Sequence, residues 1–214
     1  MKIIDLSHVL DAATPVYPGD TAVLLEKRRC LARDGYNAFL LGTGLHAGTH
    51  IDLPMHFIDD PRAVADFPPE GFIGPGVLLD CRGEDPVAMR KEYRGAVRPG
   101  DAVLIRTGFD ERYGEEEYFT QHPTLSPELA EFLCERDVLL VGMDLPSPDR
   151  PPFPIHMALL GAGIPLLENL TNLGALAGAE AFEVIALPLK IGAEASLVRA
   201  VGRILQAPTS CAQG

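Results

Sequence analysis

Three of the chain's six histidines and one carboxylate fall within His46-Ala-Gly-Thr-His50-Ile-Asp52-Leu-Pro-Met-His56, among small and apolar neighbours. Imidazole and carboxylate groups gathered without the charged residues of a solvated loop have the chemistry of metal ligands. Nitrogen and oxygen donors without thiolate suit zinc, and the carboxylate share makes manganese the second choice. His46, Gly48, His50, Asp52 and His56 all occupy even positions, so an extended chain directs them to one face. The step from His46 to His50 spans about 13 Å if fully extended, near the limit for two imidazoles on one ion, so the chain must curl, and Gly48 permits it. A helix would also join His46 to His50, but Gly48 and Pro54 weigh against it. The spacing predicts a bent strand, or a strand leading into a turn. A single histidine in apolar surroundings is ordinarily a hydrogen-bonded core residue; four such groups at this spacing favour a metal site.

A second polar set follows an apolar run in Gly142-Met-Asp144-Leu-Pro-Ser147-Pro-Asp149, at the carboxyl end of an expected strand, where α/β proteins place ligands. Asp144 and Ser147 are read as supports around the site, although Asx and Ser turns account for the same residues. His156 and Glu168 come next. Glu168 closes an apolar run, and a buried carboxylate there requires a partner. Gly-x-Ser-x-Gly, His-Glu-x-x-His and the phosphate-loop pattern are all absent.

The pattern His46-x-Gly-Thr-His50-x-Asp52-x-Pro54-x-His56 resembles the signature of the metal-dependent cyclase-like hydrolases, the family of bacterial kynurenine formamidases and isatin hydrolases. The resemblance implies two divalent metal ions, zinc ahead of manganese, with His46 and His50 on the first, His156 on the second, and Asp52 and Glu168 bridging both. It makes His56 the acid/base that protonates the departing nitrogen. Tyr17 stands where the formamidases carry a tryptophan that contacts an aromatic substrate, in a loop fixed by Pro15, Pro18 and Gly19. The implied reaction is hydrolysis of a small amide by an activated water, an aryl formamide such as N-formylkynurenine being the first choice. Opening of a cyclic amide or lactone, as in isatin hydrolase, is the alternative. A non-catalytic protein that keeps its metals for structure is the alternative of another class. The family also implies a homodimer or higher homo-oligomer.

These residues need elements to hold them. A chain of 214 residues that is 47% hydrophobic suits a single domain over residues 1–214. The pattern predicts an α/β fold with a mixed or barrel-like sheet and covering helices. Strands are expected at Lys2–Leu6, Ala22–Arg28, Asn37–Thr43, Gly76–Asp80, Ala102–Thr107, Asp137–Met143, Ile164–Leu167, Phe182–Ile191 and Ser196–Leu205. Helices are expected at Pro86–Arg94, from Ser126 to about Arg136, and at Pro154–Leu160. Phe57–Gly76 reads as a long loop with a short helix over the site, and the tail from Gln206 as frayed.

A net charge of −12 argues against nucleic acid as a partner. Four cysteines without a Cys-x-x-Cys pair suggest neither thiolate zinc nor a disulfide framework. No run reaches the length of a membrane span and the opening Met1-Lys-Ile-Ile-Asp5 lacks a secretion signal's core, so the expectation is a soluble cytoplasmic protein with a small-molecule substrate.

Overall fold

The computed structural model describes residues 1–205. In chain order its strands are β1 (Lys2–Asp5), β2 (Leu24–Arg29), β3 (Ala38–Gly42), β4 (His50–Asp52), β5 (Ile73–Asp80), β6 (Ala102–Arg106), β7 (Leu140–Met143), β8 (Leu166–Glu168), β9 (Phe182–Ile185), β10 (Ala195–Leu197) and β11 (Val201–Ile204). Nine of them make one curled mixed sheet in the order β1-β11-β9-β5-β6-β7-β8-β4-β10, while β2 and β3 pair only with each other. β5 to β8 run parallel and the remaining pairs are antiparallel.

The central strands are apolar on both faces, as parallel strands covered on both sides must be. Alternate side chains divide between two cores. Val103, Ile105, Val141 and Met143 join Leu129, Leu133, Leu159 and Leu160, whereas Leu104, Leu140 and Leu167 join Leu6, Ile51 and Phe72. The helix Pro127–Glu135 starts as its sequence prescribes, with Pro127 in the first turn and the Ser126 Oγ accepting from the Leu129 N–H at 3.2 Å. The helix Pro154–Gly161 packs Ile155, Leu159 and Leu160 into the first core and so carries His156 inward on the same side.

Four expectations are corrected. Pro86–Arg94 is not a helix: its one helical turn is Tyr93–Ala96, because Val87 instead donates to the Thr124 carbonyl and accepts from the Ser126 N–H, bridging to the loop before the next helix. The strand expected over Phe182–Ile191 ends at Ile185, ahead of Pro188, which has no N–H to give a ladder. Ser196–Leu205 is two strands at distant places in the sheet, β10 at one edge beside β4 and β11 between β1 and β9. The segment after His56 holds two 3-10 turns, Val64–Asp66 and Pro69–Phe72; Val64 and Ala65 donate to the carbonyls of Ala193 and Ile191, and Val64 and Phe72 are buried. It is a packed segment rather than a helix over the site, and β5 begins at its end.

Gly142 shows how tightly the sheet is closed around its centre. A Cβ there would lie 2.5 Å from a Leu104 methyl and 2.9 Å from one of Leu170. Gly142→Ala is therefore expected to lower stability by about 1–3 kcal/mol through overpacking, measured by urea unfolding.

Candidate active site

The short strand β4 presents His50 and Asp52 on one face, two residues apart. Antiparallel pairing with β8 sets Glu168 directly opposite His50. The His50 Nε2 lies 3.4 Å from Glu168 Oε2 and 3.5 Å from Asp52 Oδ1. His46 curls in from the preceding turn, where Gly48 adopts a φ of 63°, and its Nδ1 reaches Asp52 Oδ1 at 2.9 Å. From the facing helix, the His156 Nε2 stands 3.4 Å from Glu168 Oε1. Two triads of donor atoms result, His46/His50/Asp52 and Asp52/His156/Glu168, with Asp52 common to both. His56, closing the 3-10 turn Pro54–His56, is looser: its Nε2 is 3.9 Å from Asp52 Oδ2, and its ring lies against those of His46 and Phe57.

The protons on two imidazoles can be assigned from their partners. The His50 Nδ1 lies 2.8 Å from the Gly48 carbonyl and the His156 Nδ1 lies 2.6 Å from Asp149 Oδ1, both acceptors, so both Nδ1 atoms carry hydrogen. In the neutral rings that bind metal the Nε2 lone pairs then face carboxylate oxygens, acceptor against acceptor. His50 Nε2, both Asp52 oxygens and Glu168 Oε1 are buried without a hydrogen-bond partner. Such a group needs a cation in its midst, and nitrogen and carboxylate donors fit a divalent metal.

Without a cation the same demand for positive charge falls on the imidazoles, which take up protons in its place. Burial opposes charge on His46, but Asp52 and Glu168 outweigh it and push its pKa up to about 9. Burial likewise opposes charge on His156, and Asp149 and Glu168 lift it to about 10. Against the cost of burial, the neighbouring imidazoles hold Asp52 and Glu168 below the ordinary carboxylate range. His56 differs: burial keeps it below the usual imidazole value, although Asp52 pulls it upward.

These groups form the floor of a cavity of about 260 Å³. His46, His50, Asp52, His56, His156, Glu168, Tyr17 and Ser147 all line it. Its walls are aromatic, with Tyr17 set edge-on to Phe119 at 5.8 Å and Phe57 to Phe153 at 5.3 Å. Asp144 does not line the cavity. It accepts from the Thr107 N–H and hydroxyl and from the Gly108 N–H, fastening the turn after β6 to the end of β7. Burial raises its carboxyl to about 6 against the pull of those hydrogen bonds.

A family model described as putative cyclase matches residues 4–150. The chain belongs to this family. It is 35% identical over 211 residues to a kynurenine formamidase of Salinibacter ruber, covering 95% of this chain and 98% of the relative. A kynurenine formamidase of Bacillus cereus is 32% identical over 206 residues, 94% of this chain and 96% of the relative. Among solved structures, isatin hydrolase A from Labrenzia aggregata, bound to benzyl benzoate, superposes with a TM-score of 0.84 at 28% identity, covering 96% of this chain and 94% of that one. An isatin hydrolase bound to the product analogue thioisatinate has the same fold, with a TM-score of 0.85 at 24% identity, covering 96% and 93%.

Beyond Asp144 and Ser147, sequence reasoning missed the supporting groups. Asp149 holds the His156 Nδ1–H and also accepts from the Ile155 N–H at 2.5 Å, so one carboxylate orients the imidazole and caps its helix. Ser147 ties down Asp149 by donating to its carbonyl at 2.7 Å. Glu194 lies 3.2 Å from the His46 Nε2, and nothing in its local sequence announced it. The Asn169 amide donates to the Gly48 carbonyl at 3.0 Å and accepts from the Tyr118 hydroxyl at 2.9 Å. Asp149 was legible as a polar residue seven positions before His156; Glu194, Asn169 and Tyr118 meet the site only through the fold.

Adding zinc or manganese to metal-free protein is expected to raise its melting temperature, and Asp52→Asn to abolish that rise. Asp144→Asn, which turns an amide NH2 toward donor N–H groups, is expected to cost about 1–3 kcal/mol of stability while keeping the rise. Scanning fluorimetry checks both.

Proposed function

We propose that the protein is a metal-dependent amide hydrolase acting on an aryl formamide such as N-formylkynurenine. The observation that carries this reading is the set of buried, mutually facing acceptors of Asp52, Glu168, His50 and His156 beneath an aromatic cavity. The formamidase relatives support the choice of reaction. His46, His50 and Asp52 would hold one divalent cation, and Asp52, His156 and Glu168 a second, zinc ahead of manganese. Bound divalent cations supply Lewis acidity, which favours deprotonation of water and stabilises charge developing on a carbonyl oxygen.

The residues do the rest. Asp149 keeps the His156 proton on Nδ1 and the Gly48 carbonyl keeps that of His50 on Nδ1, so each Nε2 lone pair stays turned to the carboxylates. Cleaving a C–N bond requires a proton on the departing nitrogen. His56 lines the cavity, lies farthest from the carboxylates of the three clustered histidines, and is kept neutral by burial, so it can take a proton from the attacking water and hand that proton to the departing nitrogen. Tyr17 and Phe119 offer an aryl ring an edge and a face on one wall, and Phe57 and Phe153 on another.

Ring opening of a cyclic aryl amide is the second reading, supported by the likeness to the Labrenzia isatin hydrolase. A metal-stabilised protein without activity is disfavoured, because the donor atoms face an open cavity rather than a closed shell.

We further propose a cytoplasmic homodimer. Cys30, Cys81 and Cys134 are free. The β2–β3 hairpin stands outside the main sheet and exposes Leu24, Phe39 and Leu41. A hairpin bare on both sides is unstable in water and calls for cover. The same arm carries Lys27, Arg28, Arg29 and Arg33 against Glu26 and Asp34, and this excess of positive charge suits contact with a second copy of this acidic chain.

With metal restored to stripped protein, N-formylkynurenine is expected to turn over. His56→Asn is expected to keep its metal and lose about 10²–10⁴-fold in kcat, whereas His50→Ala or Asp52→Ala loses metal and activity together. A His56→Asn enzyme as fast as the parent removes the acid/base role, and turnover of isatin alone moves the reading to ring opening. Light scattering is expected to give a dimer mass that falls to monomer when Phe39 and Leu41 are both replaced by Glu.

A further inference from the structure

The turn that carries Tyr17 holds a second feature that the hydrolase chemistry does not use. Tyr17-Pro18-Gly19-Asp20 has Pro and Gly in its middle positions, a Gly19 φ of 100°, and a hydrogen bond from the Asp20 N–H to the Tyr17 carbonyl at 2.9 Å. This is the pattern of a type II turn, which brings its first and fourth residues side by side. Both residues line the cavity. Tyr17 is set edge-on to Phe119, and the carboxylate of the exposed Asp20 has neither hydrogen bond nor ion pair among the described residues.

The cavity's other charged groups are the imidazoles and carboxylates of the floor, and no lysine or arginine among the described residues lines it. A ligand that enters therefore meets aromatic walls, the floor groups and one further carboxylate that is not committed to a partner. Away from the floor no cationic side chain would recognise an anionic substituent, and the chain's net charge of −12 disfavours one.

We propose that Asp20 is a specificity-determining residue that binds a primary ammonium on the substrate, at the end remote from the scissile amide. The substrate class is then an aromatic amide bearing a protonated amine, and any carboxylate on it goes unread. This rests on the amide-hydrolase reading for which end of the ligand meets the floor. An ammonium–carboxylate hydrogen bond at such a site is expected to contribute about tenfold in affinity.

Binding of deformylated ligands to the metal-loaded protein, measured by calorimetry, tests Asp20 without requiring turnover. Kynuramine carries the ring and the ammonium, 2-aminoacetophenone the ring alone, and L-kynurenine adds a carboxylate. In the parent, kynuramine is expected to bind about tenfold more tightly than 2-aminoacetophenone, and L-kynurenine no more tightly than kynuramine. Asp20→Asn is expected to bring the first ratio to about one, and Asp20→Glu to retain a preference for the amine. A ratio unchanged in Asp20→Asn overturns the proposal, as does L-kynurenine binding more tightly than kynuramine. Hydrolysis of formanilide, which carries no amine, judges the amide-hydrolase reading separately: its failure together with that of N-formylkynurenine removes that reading while the binding ratios still decide the role of Asp20.

Discussion

The rest of the site depends on keeping two carboxylates, Asp52 and Glu168, next to each other out of water. Each charge costs several kcal/mol to bury, and the two repel one another. The fold accepts this because they sit on neighbouring strands of a rigid sheet, in a register that sets Glu168 against His50, so neither can swing away to solvent. The imidazoles around them are turned with lone pairs inward. The arrangement is stable only with positive charge among these groups, and that requirement links the metal chemistry to the architecture of β4 and β8.

Around this centre lies a layer of groups whose work is orientation. Asp149 is both helix cap and histidine partner, so the start of the helix Pro154–Gly161 and the direction of His156 are fixed by the same carboxylate. Asn169 follows Glu168 with a φ of 54°, and Phe153 precedes the helix with a φ of 61°. Left-handed backbone is uncommon for residues other than glycine, most of all for a bulky aromatic, and here it flanks two of the cluster's side chains. Tyr118, fully buried, fastens Asn169 and through it the Gly48 carbonyl that orients His50. Polar connections of this kind hold side chains to the narrow range of geometry that a metal-assisted reaction demands.

The cavity above divides its labour by chemistry. Its floor is charged and fixed by the sheet, while its walls are aromatic and come from four separate segments that carry Tyr17, Phe57, Phe119 and Phe153. A floor fixed by the sheet and walls carried on loops let one fold serve different substrates through its loops alone.

By itself the sequence determined the chemistry of the centre. His46, His50, Asp52 and His56 stand close together in the chain, and short-range spacing with a glycine to bend it is enough to bring them together. Apolar runs of five or six residues likewise identified the central strands, and Ser126-Pro127 the start of a helix, because burial periodicity and capping are local. Only the tertiary structure decided which distant residues join them. Glu194 meets His46 through β10, and β10 reached the edge beside β4 because the run from Ser196 to Leu205 split between distant parts of the sheet. Tyr118 and Asn169 meet across 51 positions. Pro86–Arg94 had helical composition yet gave its backbone to a neighbouring loop. Such outcomes follow from competition between local preference and long-range hydrogen bonding and packing, and that competition is settled only when the sheet curls and closes.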